Sequence, residues 1–230
     1  MCGRFIRRRS SSNLGDAFRV NHISDELQPS FNVAPTHNVA VVFDDGARQL
    51  VSMRWGLIPS WASDTTIGSK LINARAETLT QRAAFKNAFR NRRCLVVADG
   101  FFEWQKQNGT KIPLLIQLKS ERPFGFAGLY ETWTSHSGES VSTCTIITTE
   151  PNEIVRPIHD RMPVILPKDV EDLWLDSSIE DHRRLLDLLL PYPAEEMEAY
   201  AVSPLVNSVK NDSIACIEPA GIIPQQSRLF

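Results

Sequence analysis

Met1-Cys2-Gly3-Arg4-Phe5 places a cysteine where removal of the initiator methionine makes it the N-terminus. One residue then carries two nucleophiles, an α-amine that titrates at about 7.7–8.0 and a thiol that titrates near 8.5, so a reactive minority of each exists at neutral pH. A 1,2-aminothiol has one distinctive reaction. The amine condenses with an aldehyde to a Schiff base, and the neighbouring sulfur closes a five-membered thiazolidine ring that neither group forms alone. The bland alternative for Cys2 is a chance residue on an N-terminal strand.

Three further segments hold polar groups in apolar or turn-rich surroundings. Leu71 to Thr78 reads as extended chain, and period-two spacing sets Asn73, Arg75 and Glu77 on one face. Ala98-Asp99-Gly100-Phe101-Phe102-Glu103-Trp104 encloses a carboxylate among aromatics, which desolvates Glu103 and raises its pKa toward a useful acid-base range; the alternative is a solvent-facing Glu103 on an edge strand. Ile158-His159-Asp160-Arg161-Met162-Pro163 offers a histidine between charged and apolar groups, either a proton carrier or a satisfied structural residue. Arg54-Trp55-Gly56-Leu57-Ile58-Pro59-Ser60-Trp61 presents an arginine and two tryptophans around a turn, suited to stacking on unpaired bases, with Trp55 the better core residue.

These groups must be positioned by a chain of ordinary globular composition: 230 residues, 42% hydrophobic and 23% charged, enough for one substantial core. No Gly/Ser-rich or Pro-rich run and no fixed-period repeat divides it, so a single domain over 1–230 is expected. The absence of an apolar run of about 18 residues or of a signal region before Arg7-Arg8-Arg9 predicts a soluble, cytoplasmic protein without membrane contact. Cys2, Cys94, Cys144 and Cys216 form no CxxC pair, so neither a metal site nor a disulfide framework is expected, and the last three read as buried thiols. The net charge of −2 hides a partition: residues 1–115 carry 16 Lys/Arg against 9 Asp/Glu, and residues 116–230 carry 9 against 18. Such asymmetry fits either a polyanion site on one face or a solvated basic face.

Strands are expected at about 38–43, 48–55, 94–98, 112–118, 124–129, 142–149 and 162–166, bounded by turn signals such as Asp45-Gly46, Asn108-Gly109 and Ser137-Gly138. Helical spacing appears after Ser10–Asn13, after a Thr80 cap, and over 168–175 and 179–190. The pattern predicts an α+β domain with a largely antiparallel, curled or barrel-like sheet and flanking helices. No phosphate-loop glycine motif is present, and a doubly wound nucleotide-binding fold is excluded.

The segments recur together in a recognisable order. Cys2-Gly3-Arg4-Phe5, Phe31-Asn32-Val33-Ala34-Pro35, Trp55-Gly56-Leu57-Ile58-Pro59, Ile72 to Thr78, Ala98 to Trp104, Ile158 to Pro163 and Val206-Asn207-Ser208 resemble the SOS-response-associated peptidase (SRAP) family of abasic-site processing proteins across about residues 2–211. The resemblance implies a protein that binds single-stranded DNA and joins an abasic site covalently through Cys2; no cofactor or metal is expected, and the chain is expected to be a monomer. It implies that Asn73 orients Cys2, that Glu103 and His159 move protons, and that Arg4 and Arg75 hold phosphates. It also places Asn32, Pro35, Trp61 and Arg161 on the DNA side. The family's peptidase label implies release of Met1. Some members carry a second tryptophan after the position of Trp61, whereas Ala62 stands here. The tail 212–230 matches nothing in the pattern. Two rival classes remain open on the residues alone: a cysteine-dependent peptidase acting on other proteins through Cys2, His159 and Asn73, and a non-catalytic single-strand or RNA-binding module.

Overall fold

The segment Arg93–Ala98 is buried at all six positions, which a strand achieves only when both faces of its sheet are covered. The computed structural model of the chain describes residues 2–220 and shows how that covering is built. In chain order the strands and helices of the first half are β1 (Phe5–Arg7), α1 (Gly15–Phe18), β2 (His22–Ile23), β3 (Ser30–Val33), β4 (Asn38–Asp44), β5 (Arg48–Trp55), β6 (Asn73–Arg75), α2 (Ala83–Asn91), β7 (Arg93–Ala98) and β8 (Gly100–Gln107). They are followed by β9 (Thr110–Leu118), β10 (Phe124–Thr134), β11 (Ser140–Thr149), β12 (Met162–Pro163), β13 (Ile165–Leu166), α3 (Glu171–Leu175), α4 (His182–Leu186) and β14 (Met197–Ala201).

Strands β5, β4, β7, β10 and β11 pair in that order, and β11 returns to pair with β5 in parallel, Thr143 opposite Arg54 and Cys144 opposite Trp55. The ring is thereby closed into a five-stranded mixed barrel, which removes the exposed edges an open sheet would leave. A second sheet, in the order β14-β9-β8-β1-β3, packs against it. Period-two alternation sorts the core. Val41, Trp55, Val96, Phe126 and Ile146 meet Phe5, Phe101 and Ile116 of the second sheet, while Val42, Leu95, Val97 and Leu129 meet Phe18, Phe85, Phe89 and Trp174 of the helices. Phe5 lies 5.2 Å from Trp55 and 5.9 Å from Phe126 between ring centroids, joining the two layers at the strand that carries the N-terminus.

The expectation of an α+β domain with a curled or barrel-like sheet and flanking helices holds, with differences in its parts. The segment Gly100–Gln107 is a strand between β9 and β1, where the sequence showed only a motif. Helix α2 starts at Ala83 with Arg82 at its cap position and no side-chain cap bond, so Thr80 caps nothing. The C-terminal helices are one or two turns long. Asp176 accepts from the backbone and hydroxyl of Ser178, a local alternative that ends α3, and Asp181 caps α4. Residues 212–220, unassigned by sequence, belong to the fold: Asp212 accepts from the Ser30 hydroxyl and the Phe31 amide, and Cys216 is buried. Residues 221–230 and Met1 lie outside the described residues. No helix is long and apolar enough to cross a membrane among those described.

Candidate active site and DNA-facing surface

The site begins with the antiparallel pairing of β1 on β8, Phe5 opposite Phe101 and Ile6 opposite Gly100. Extending that register leads the N-terminal residues toward Glu103. Cys2 is fully buried, and its Sγ approaches the Arg4 carbonyl at 3.9 Å. Burial, reinforced by the negative charge of Glu103, pushes the Cys2 thiol well above its ordinary range. At neutral pH the sulfur is therefore a thiol and needs a base before it can attack.

Asn73 reaches the same point from the other layer. Its strand β6 pairs in parallel with β11, Ile146 opposite Asn73 and Thr148 opposite Arg75. The Asn73 Nδ2 donates to the Cys2 carbonyl at 2.7 Å, and its Oδ1 is buried with no hydrogen-bond partner among the described residues. A buried amide oxygen without a donor is costly, and here it stands as a spare acceptor beside Cys2.

Glu103 is 5% exposed on a central strand, which disposes of the solvent-facing edge-strand alternative. Burial drives its carboxyl above the usual value; the His159 imidazole pulls the other way and Asp160 adds to the rise. Glu103 and His159 line one open cavity of about 550 Å³ with Trp104, Lys106, Lys111, Pro157, Ile158 and Asp160. His159 Nδ1 accepts from the Arg161 amide at 3.0 Å and also lies 2.7 Å from the exposed Asp160 carboxylate. Because the amide is a fixed donor, the neutral ring carries its proton on Nε2. Asn73 from β6 and Glu103 from β8 thus meet at Cys2, and His159 reaches Glu103 from the loop after β11.

The residues expected on the DNA side divide into two groups. Trp61 is 61% exposed, and Arg75 is exposed at the end of β6. Pro35 is half-buried beside Thr36, whose φ of 73° turns the chain. Trp133 Nε1 donates to the Ala62 carbonyl at 2.8 Å, so the position after Trp61 contributes backbone to an anchor of the loop. By contrast Arg4, Asn32 and Arg161 are engaged within the protein. Arg4 Nη1 donates to Asn32 Oδ1 at 2.6 Å and to the Val206 carbonyl at 2.8 Å, while its guanidinium sits 5.7 Å over Trp104. Asn32 is 1% exposed and donates to the carbonyls of Val206, Ser208 and Asn211. Arg161 forks onto Glu77 at 2.7 and 3.0 Å and donates to the Thr148 carbonyl. Glu77 lies in a 3-10 turn past the end of β6, so the expected shared face of Asn73, Arg75 and Glu77 stops at Arg75. Trp55, fully buried with Nε1 donating to the Ile72 carbonyl, is core.

The residue that sequence reasoning passed over is Trp104. It lines the cavity beside Glu103, carries Arg4 on its ring, and donates from Nε1 to Asn207 Oδ1 at 2.7 Å. Its position next to Glu103 in the motif was the available signal. No group of three or more His, Cys, Asp or Glu side chains that could hold a metal ion occurs among the described residues.

Residues 1–209 match the SOS response associated peptidase (SRAP) family. Abasic site processing protein YoaM of Bacillus subtilis (strain 168) is 50% identical over 222 residues, covering 95% of this chain and 98% of that protein. Abasic site processing protein HMCES of Xenopus tropicalis is 35% identical, covering 89% of this chain and 70% of that protein. A crystal structure of a protein from Bacteroides thetaiotaomicron superposes with a TM-score of 0.86 at 27% identity, covering 95% of this chain and all of that one. With its family match spanning nearly the whole chain and a half-identical relative aligned over nearly its full length, this chain belongs to the SOS response associated peptidase family.

Proposed function

We propose that this protein processes abasic sites in single-stranded DNA, capturing the ring-opened C1′ aldehyde as a thiazolidine on Cys2 once Met1 has been hydrolysed away. The observation that carries the reading is that Asn73 and Glu103 meet at the one residue that can become a terminal aminothiol, with His159 beside Glu103. The names of YoaM and HMCES point to the same lesion.

The chemistry closes without a cofactor. The freed Cys2 amine, held by the spare Asn73 Oδ1, adds to the aldehyde carbon, and a proton passes from nitrogen to the new oxygen, with His159 as the shuttle. Glu103, whose hold on its proton is strengthened by burial, donates that proton to the carbinolamine hydroxyl, which departs as water and leaves an iminium ion. The resulting carboxylate takes the Cys2 thiol proton, and sulfur attacks the iminium carbon. One water is lost overall, and Glu103 ends protonated as it began. The raised thiol fits this order, because sulfur acts second and beside its base. A protease of the Cys-His type instead requires a thiolate at rest, so the reading as a peptidase of other proteins is the weaker one. Exposed Arg75 and Trp61 would bind the flanking phosphate and base.

A denaturing gel tests the proposal. Parental protein mixed with abasic single-stranded DNA should give a heat-stable adduct. Cys2→Ala should give none, and Cys2→Ser, which keeps the amine, should give an imine that survives only after borohydride reduction. An undiminished heat-stable adduct from Cys2→Ala would overturn it.

A further inference from the structure

Strands β8 and β9 form a hairpin whose two-residue tip has positive φ at both positions, 49° at Asn108 and 80° at Gly109. That is the turn whose twist matches a tight hairpin, and it fixes the register. The fixed register sets Lys106 directly opposite Lys111, with Gln107 opposite Thr110 and Trp104 opposite Pro113. Like charges directly opposed on a ladder destabilise it, and a hairpin built for stability alone would oppose Lys with Glu. Neither lysine makes an ion pair within 4.0 Å among the described residues, although both line the cavity that contains Glu103 and His159. The repulsion is left in place at the rim of the site.

Alternation along β8 puts Lys106 on the same face as Trp104, whose ring already carries Arg4. The face therefore presents an aromatic ring that carries a guanidinium and, two residues along the strand, a pair of opposed ammonium groups with no ion pair among the described residues. A ligand that satisfies this arrangement has an anionic backbone next to a planar or apolar group. We propose that Lys106 and Lys111 together form a phosphate-binding site for the strand as it runs from the lesion along the β8–β9 hairpin. The site rests on the single-stranded DNA reading above and adds to it a second anchoring point, remote in sequence from Arg75. One phosphate between two ammonium groups removes their mutual repulsion and releases condensed counterions, so its contribution is sequence-independent and salt-dependent.

The test is the salt dependence of binding to a lesion-free oligothymidylate, measured by fluorescence anisotropy for the parent, Lys106→Gln, Lys111→Gln and the double variant. Each lost contact should lower the slope of log K against log salt by about 0.7 and weaken binding about fivefold at 0.1 M salt, the factor that slope generates between 1 M and 0.1 M. Lys106→Glu supplies the control for folding. Opposed to Lys111 it makes a favourable cross-strand pair, so thermal unfolding should hold or rise while DNA affinity falls further than for Lys106→Gln. If the double variant binds with the parental slope while the parent still crosslinks abasic DNA, the lysine site is wrong and the functional reading stands. If the parent neither binds the oligothymidylate nor crosslinks, both are wrong.

Discussion

Replacing Glu103 by Gln should make the protein more stable and much less active, and the two effects come from the same burial. The carboxyl sits 5% exposed beside His159 and Cys2, with a pKa raised chiefly by loss of water. Its folded form holds a proton more tightly than the unfolded chain does. The contribution to stability is therefore fully present below the ordinary glutamate value of about 4.3 and is lost as pH rises through the folded value. Glutamine, neutral at every pH, escapes that loss. The melting temperatures of parent and Glu103→Gln should be close at about pH 4 and should separate in favour of the variant as pH rises. Activity should move oppositely. Removing a positioned acid-base group costs about 10²–10⁴ in rate, or about 3–5 kcal/mol of barrier, and in the proposed cycle Glu103 acts twice. The variant also frees the Cys2 thiol from a neighbouring negative charge, which eases ionisation and holds the loss toward the lower end. Single-turnover crosslinking to abasic single-stranded DNA across a pH series is the assay. The parent should slow as pH rises through the raised Glu103 value, and the variant should be about a hundredfold slower without that limb. A variant that crosslinks at the parental rate with the parental pH profile would refute the role given to Glu103.

Two further outcomes follow from the surroundings of the site. Arg75→Ala, which removes an exposed side chain with no described ion pair, should leave thermal unfolding within about 0.5 kcal/mol of the parent and lower the salt slope of lesion-free strand binding by about 0.7; an unchanged slope would make Arg75 a solvated surface residue. Asn32→Ala strips hydrogen bonds from three loop carbonyls and from Arg4 Nη1, so urea unfolding should show a loss of about 2–4 kcal/mol, and a loss under about 0.5 kcal/mol would show that the loop is held by other contacts.

The long apolar strands were legible because their local periodicity states their burial: 48–55 coincides with β5, and 38–43, 94–98 and 142–149 lie inside β4, β7 and β11. Closure of the barrel was not legible in detail, since the parallel seam of Cys144 on Trp55 joins segments about ninety residues apart and leaves no local trace. Strand β8 was hidden because its short apolar run Phe101-Phe102 is followed by the buried carboxylate Glu103 and by the polar residues Gln105 to Gln107. Cys2, Asn73 and Glu103, which the fold brings together, could be nominated from type and motif, whereas the internal hydrogen bonds of the arginines could not. Arg4 and Arg161 look like Arg75 in a sequence, and only the fold reveals that Asn32, the Val206 carbonyl and Glu77 take up some of their donors. A guanidinium's five fixed donors serve an internal carbonyl as readily as a phosphate, and the sequence does not say which.

The most direct measurement is the intact mass of the protein after reaction with an abasic single-stranded oligonucleotide, followed by peptide mapping. The account predicts one adduct whose mass is the chain without Met1 plus the oligonucleotide less one water, attached at Cys2 and unchanged by borohydride because the ring has already closed. An adduct that retains Met1, maps to a lysine, or gains two hydrogens on reduction would contradict it.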